Sequence, residues 1–166
     1  MAGAVVPNLS LLHITSENCE DNAEQTSLID FLNGKPAVVD FWSTFCIKCP
    51  EGLDKMNALA AQHPDIMFIA LNIDDFEAAQ QIISGKWENI HHFFITEDEK
   101  EIAMEELGLK KLPYYTIIAE DGIVIQTGTK KDIKFDELGS ICGSSENSSG
   151  AQNISSDFNF TLDEDF

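Results

Sequence analysis

The sequence predicts an α/β layered domain built on a mixed β-sheet, and three observations lead there. Short runs of continuous apolar character alternate with stretches of helical spacing through the middle of the chain. A hairpin pattern follows, with Tyr114 to Ala119 and Ile123 to Thr127 flanking the turn Glu120-Asp121-Gly122. The most informative run, Val38-Val39-Asp40-Phe41-Trp42, leads through Ser43-Thr44-Phe45 into Cys46-Ile47-Lys48-Cys49-Pro50 and then an amphipathic stretch. Strand and helix in alternation, closed by a hairpin, imply layers with strands of both directions.

The elements follow in order. Leu9 to Thr15 alternates weakly, as a strand would, and Ser16 to Gln25 is a polar, acidic loop. Ser27 to Asn33 reads as a short helix stopped by Gly34 and Pro36. Pro36 to Trp42 is a strand whose continuous apolar character suits burial on both faces. Pro50 to Gln62 carries Leu53, Met56, Leu59 and Ala60 at helical spacing, with Pro50 in the first turn, where a missing N–H does no harm. Ile66 to Ile73 is a second buried strand, Phe76 to Ile83 a helix closed by Gly85, and Ile90 to Ile95 a further strand. Glu97 to Leu107 is a helix, acidic at its start and ended by Gly108. After the hairpin, Asp132 to Ile141 has the pattern of a last helix.

At 166 residues and 43% hydrophobic content, the chain suits one domain with a real core. That domain is expected over 1–142. The composition changes at 143–166, which is Ser/Asn-rich and then acidic, and is expected to be a disordered tail. Within it Phe158, Phe160, Leu162 and Phe166 alternate with acids, a pattern of either a solubilising tail or a docking segment. All ten basic residues are Lys, against 29 acidic ones, for a net charge of -19. Such a charge repels phosphate backbones and anionic lipid, so neither nucleic acid nor a membrane is an expected partner. No run approaches 18 apolar residues, and Met1 to Ser10 lacks the pattern of a secretory signal. With only four cysteines, the expected setting is a reducing, cytoplasmic one. The triplets starting at Asn8, Asn147, Asn153 and Asn159 then have no role as glycosylation sites.

The chemistry lies in the cysteine pair. If a strand ends before it and a helix begins at it, Cys46 sits at the helix N-terminus, where unpaired N–H groups and the dipole stabilise a thiolate. Such a thiol can fall from about 8.5 to about 7 or below and become nucleophilic at neutral pH. Cys49, one turn on, lies within reach to close a small disulfide. The arrangement is that of a dithiol redox centre.

Three separated segments share one register: Val39 to Trp42 leading into Cys46 and Cys49; Phe68-Ile69-Ala70-Leu71-Asn72-Ile73-Asp74; and Leu107-Gly108-Leu109-Lys110-Lys111-Leu112-Pro113 with its hairpin and Gly128. In that order and spacing they resemble the thioredoxin superfamily across roughly residues 9 to 141. The lead-in from Ser27 to Pro36 and the helix and strand inserted at 76 to 95 look more like its TlpA and ResA branch. The resemblance implies a three-layer fold, with a central mixed sheet and helices on both faces, and a protein-disulfide oxidoreductase that needs no cofactor. Cys46 would be the exposed attacking cysteine and Cys49 the buried resolving one. Asp40 matches a buried carboxyl that takes the proton from Cys49. Pro113 matches a cis-proline opposite Cys46, and Phe45, Lys48, Leu112 and Pro113 would contact the substrate. The implied partners are disulfide-containing proteins and a reductase or thiol electron donor.

Departures from the family pattern matter. Phe45 stands where Trp is usual, Ala70 replaces the lysine that often faces the buried carboxyl, and Ile47-Lys48 replaces Gly-Pro. Without that lysine Asp40 should hold its proton more tightly. Lys48 is either a charge that favours the thiolate or a solvated side chain at a helix start. A second reading therefore stands beside the first: a binding or adaptor domain of the same fold with little turnover. Cys19 and Cys142 read as incidental thiols, and a pairing or regulatory oxidation of the two is the other possibility. His13, His63, His91 and His92 lack ligand spacing, and no Arg is present to polarise a peroxide, so no metal and no direct peroxide chemistry are expected.

Overall fold

The computed structural model describes residues 3–133 together with 135 and 138, and its seven strands form one sheet. One edge is antiparallel: β1 (Ser10–His13) pairs with β2 (Gln25–Ser27). The Ser27 hydroxyl then accepts from the Asp30 N–H and caps α1 (Leu28–Leu32), which ends on Asn33 in the left-handed region. β3 (Ala37–Trp42) is buried at every position, as its unbroken apolar run requires. It leads to α2 (Cys49–Gln62), then β4 (Met67–Asn72), which runs parallel to β3 with Asp40 opposite Ala70. α3 (Phe76–Ile83) is capped by Asp75, whose carboxylate accepts from the Ala78 N–H. β5 (His91–Phe94) adds parallel to β4, and β1 joins its other side antiparallel. α4 (Glu97–Leu107) has three acids in its first turn, where they complement the helix dipole, and ends at Gly108 with φ +77°. β6 (Tyr114–Ile118) pairs antiparallel with β3, and β7 (Val124–Gly128) closes the hairpin. The strand order is β2-β1-β5-β4-β3-β6-β7.

Side-chain alternation along the central strands builds two cores. Val39 and Phe41 of β3 pack with Ile69 and Leu71 of β4 under Leu28 and Leu32 of α1 and Ala103 and Leu107 of α4. Val38 and Trp42 pack with Phe68 and Ala70 under Leu53 and Met56 of α2 and Phe76 and Ala79 of α3. Helices therefore cover both faces of a mixed sheet, which is the three-layer arrangement expected.

The elements differ from expectation at the margins. The stretch 16–25 is not wholly loop: Glu20–Asn22 forms a 3-10 turn, and Gln25 opens an edge strand. Of the last helix expected at Asp132 to Ile141, the described part shows a 3-10 turn over Lys130–Asp132, with Leu138 buried and Phe135 edge-on to Tyr115. The remainder of that segment, Cys142, and the tail expected at 143–166 lie outside the described residues.

The end of α4 is held to the sheet by one buried bond, from the Tyr114 hydroxyl to the Leu107 carbonyl at 2.5 Å. This satisfies a carbonyl that the helix cannot pair internally. Tyr114→Phe should cost about 1 kcal/mol and lower the melting temperature by roughly 2–4 °C. A melting curve identical to that of the parent would show that the bond contributes nothing.

Candidate active site

The cysteine pair lies in the loop that leaves β3, beside the loop that leaves the parallel strand β4. In open α/β sheets the crevice outside the carboxyl ends of parallel strands is where ligands bind. The two loops are fastened together. The Asp74 carboxylate accepts from the Thr44 N–H at 3.1 and 3.2 Å and from the Thr44 hydroxyl at 2.6 Å. Asn72, buried at the end of β4, accepts from the N–H groups of Asp74 and Asp75 and so shapes that loop. Ser43 closes the other side: its side chain accepts from the Phe45 N–H and its carbonyl from the Cys46 N–H.

Cys46 and Cys49 are joined as a disulfide with Cα atoms 5.4 Å apart. Their surroundings are unequal. Cys46 is half-buried, whereas Cys49, the first residue of α2, is fully buried in the core that the helix covers. Phe45 (86% exposed) and Ile47 (93% exposed) flank Cys46 and are the most exposed large apolar side chains among the described residues. One expectation needs correction. Cys46 does not sit at the first turn of the helix: α2 begins at Cys49, with Lys48 in the capping position. The cause is local, since Cys49 donates its N–H to the Cys46 carbonyl, which makes 46–49 a separate turn ahead of the helix.

Asp40 follows from the alternation of β3, between Val38 and Trp42 on the face that α2 covers. It is entirely buried, and among the described residues neither carboxyl oxygen has a hydrogen-bond partner. Burial pushes its carboxyl well above the usual carboxylate range. Its cross-strand neighbours are Ala70 on β4 and Tyr115 on β6. Ala70 brings no cation, as its sequence position implied. Tyr115 was not singled out from the sequence; its phenol is itself pushed well up by burial and by the nearby Asp40 charge.

On the far side of Cys46, the Leu112-Pro113 peptide bond is cis, in agreement with the expectation for Pro113. A groove of about 450 Å³ joins Leu112 to Phe45, Cys46 and Lys48. Lys110 and Lys111 also line it, and the sequence reading passed over both. The available signal was their place, immediately before Leu112-Pro113 and after the helix stop at Gly108. The histidines are drawn into packing: His92 is buried with Nε2 2.9 Å from the Trp87 carbonyl, and His13 lies against the Phe93 ring. Among the described residues no group of three or more His, Cys, Asp or Glu side chains is arranged to hold a metal ion. Cys19 is a free, exposed thiol.

Known structures share this architecture. The thioredoxin domain of a thiol-disulfide oxidoreductase from Bacteroides vulgatus superposes with a TM-score of 0.70 at 15% identity, over 86% of this chain and 98% of that one. A thiol:disulfide interchange protein from Bacteroides sp. gives 0.69 at 16% identity, over 92% and 97%. An exposed lipoprotein thioredoxin from Streptococcus pneumoniae gives 0.61 at 15% identity, over 83% and 100%. At these identities the likeness shows the fold, which is thioredoxin-like. The sequence itself matches the family model named Redoxin across residues 1–141. By that match, which takes in every element of the sheet and both cysteines of the pair, the chain belongs to the redoxin family.

Proposed function

We propose that the protein is a thiol-disulfide oxidoreductase that reduces or exchanges protein disulfides through Cys46 and Cys49. The observation that carries this reading is the asymmetry of the bonded pair. An attacking sulfur must be reachable, and Cys46 stands at a groove between exposed apolar neighbours. A resolving sulfur must be shielded from stray reaction, and Cys49 is fully buried.

In the dithiol form, the Cys46 thiolate attacks one sulfur of a substrate disulfide. A new S–S bond forms, the substrate's bond breaks, and the departing thiolate takes up a proton. Cys49 then attacks the Cys46 sulfur. This releases the second substrate thiolate and leaves the intramolecular disulfide seen here. Two electrons have passed to the substrate, and a dithiol reductant must return them by the reverse exchange. Asp40, on the sheet face below the pair, takes the Cys49 proton in its carboxylate form and returns it when the direction reverses. Phe45, Lys48 and Leu112 line the groove and form the surface against which the substrate chain lies, whereas the Pro113 ring is buried and outside that lining, and its cis bond sets the course of the chain at Leu112.

Cell redox homeostasis is the process such exchange serves, and the cytoplasm the setting we propose for it. The exposed thiol of Cys19 supports a reducing compartment. The net charge of -19 argues against nucleic acid and anionic lipid as partners. No helix among the described residues is long and apolar enough to cross a membrane. The reading of a binding domain with little turnover draws its support from Ala70, which leaves Asp40 without a cation beside it.

Cys46→Ser should abolish reduction in an insulin precipitation assay, while Cys49→Ser should accumulate mixed disulfides on non-reducing gels. Full turnover by Cys46→Ser would end the oxidoreductase reading. Asp40 gives a second expectation, whose sign comes from its raised pKa. Unfolded, the carboxyl titrates near about 3.9. Folded, it keeps its proton to higher pH, so the native state binds more protons across that window and stability falls as pH rises. Asp40→Asn removes this slope. Denaturant titrations of the oxidised proteins should show the variant gaining on the parent by about 1 kcal/mol or more between pH 4 and pH 8. A constant difference across that range would contradict a buried, late-titrating carboxyl.

A further inference from the structure

The mouth of the Cys46 groove contradicts the charge of the molecule around it. The whole chain has ten lysines and 29 acidic residues, yet three lysines, Lys48, Lys110 and Lys111, line this one groove and no acidic residue does. They arrive from separate parts of the chain. Lys48 caps α2, and the other two lie between the end of α4 and Leu112-Pro113. All three are exposed, and among the described residues none is engaged in an ion pair. On the adjoining loop after β4, the Asp74 carboxylate is committed to Thr44. Phe45 and Ile47, the two most exposed large apolar side chains described, line the same groove.

We infer that the substrate is an acidic polypeptide, carrying carboxylates on both sides of its disulfide and an apolar residue next to it. This rests on the exchange reaction proposed above and specifies what it acts on. Ammonium groups on flexible stems suit carboxylates without fixed geometry, which a loosely held substrate chain presents. The acidic remainder of the surface works against approach at long range, but such repulsion is screened over about 8 Å at physiological ionic strength. Contacts at the groove itself are shorter than that and survive the screening. A basic substrate would meet the opposite pattern, attraction everywhere except at Cys46.

The test uses the full chain, reduced in advance with a small dithiol, and three peptides that share one intramolecular disulfide and an adjacent Leu. Their flanks are acidic, neutral or basic, and kcat/KM is measured for each. Each exposed lysine–carboxylate contact contributes roughly two- to fivefold. The acidic peptide should therefore exceed the neutral one by about tenfold, and the basic peptide should fall below both. In Lys110→Glu/Lys111→Glu the order of acidic and basic peptides should reverse. Equal rates in the parent, or an order unchanged in the variant, would overturn the inference while leaving the oxidoreductase reading in place. Absence of exchange with every peptide would overturn that reading and this inference with it. Oxidised glutathione serves as a fourth substrate, and a rate equal to that of the acidic peptide would assign the lysines to a small acidic disulfide and overturn the polypeptide substrate.

Discussion

Burial of β3 on both faces is the constraint from which the rest of the molecule follows. Every side chain from Ala37 to Trp42 is inside, so both edges of the strand must find backbone partners; β4 pairs with it from Ala37 to Trp42 and β6 from Ala37 to Phe41. A central strand so enclosed can leave the core only at its end. The first exit after Trp42 is the loop that carries Cys46, and the parallel direction of β4 brings Asp74 to the same edge to hold it. The side-chain alternation that sends Val39 and Phe41 to one core sends Asp40 to the other, beneath α2. The position of Cys46 and the burial of the Asp40 carboxyl are thus two consequences of one strand.

What could be read in advance followed the strength of local signals. β3 and α3 carry dense apolar patterns, and the largely charged α4 is marked instead by its acidic first turn and by Gly108 after its last residue; the limits of all three fall within a residue of expectation. β2 carries none: Gln25, Thr26 and Ser27 are polar, and they are strand only because β1 offers them an edge. The start of α2 escaped for a different reason. Pro50 marks a first turn, but the turn at 46–49 is fixed by the hydrogen bond between the cysteines' own backbones, which spacing does not encode. Asp40, Cys49 and Pro113 were legible because register with a known family located them. Lys110 and Lys111 are marked only by their place before Leu112-Pro113, and Tyr115 meets Asp40 through the pairing of β6 with β3, which no local pattern records.

The site divides its electrostatics between two environments, a buried one around Asp40 and an exposed one at the lysine-lined groove. At the surface, charges remain solvated, and three lysines act on whatever approaches without large penalties to the fold. One strand deeper, Asp40 has no solvent and Ala70 has no charge to offer, so the carboxyl favours its neutral form. On the other flank the influence runs from Asp40 to Tyr115: burial and the Asp40 charge together keep the Tyr115 phenol protonated. A carboxyl of raised proton affinity holds its proton at a pH where an ordinary surface aspartate is already charged. Had lysine stood at position 70, its charge would have favoured the carboxylate and drawn that range downward. Ala at this position therefore leaves the buried half of the site without a cation and favours the protonated carboxyl, while Lys48, Lys110 and Lys111 gather positive charge at the groove beside Cys46.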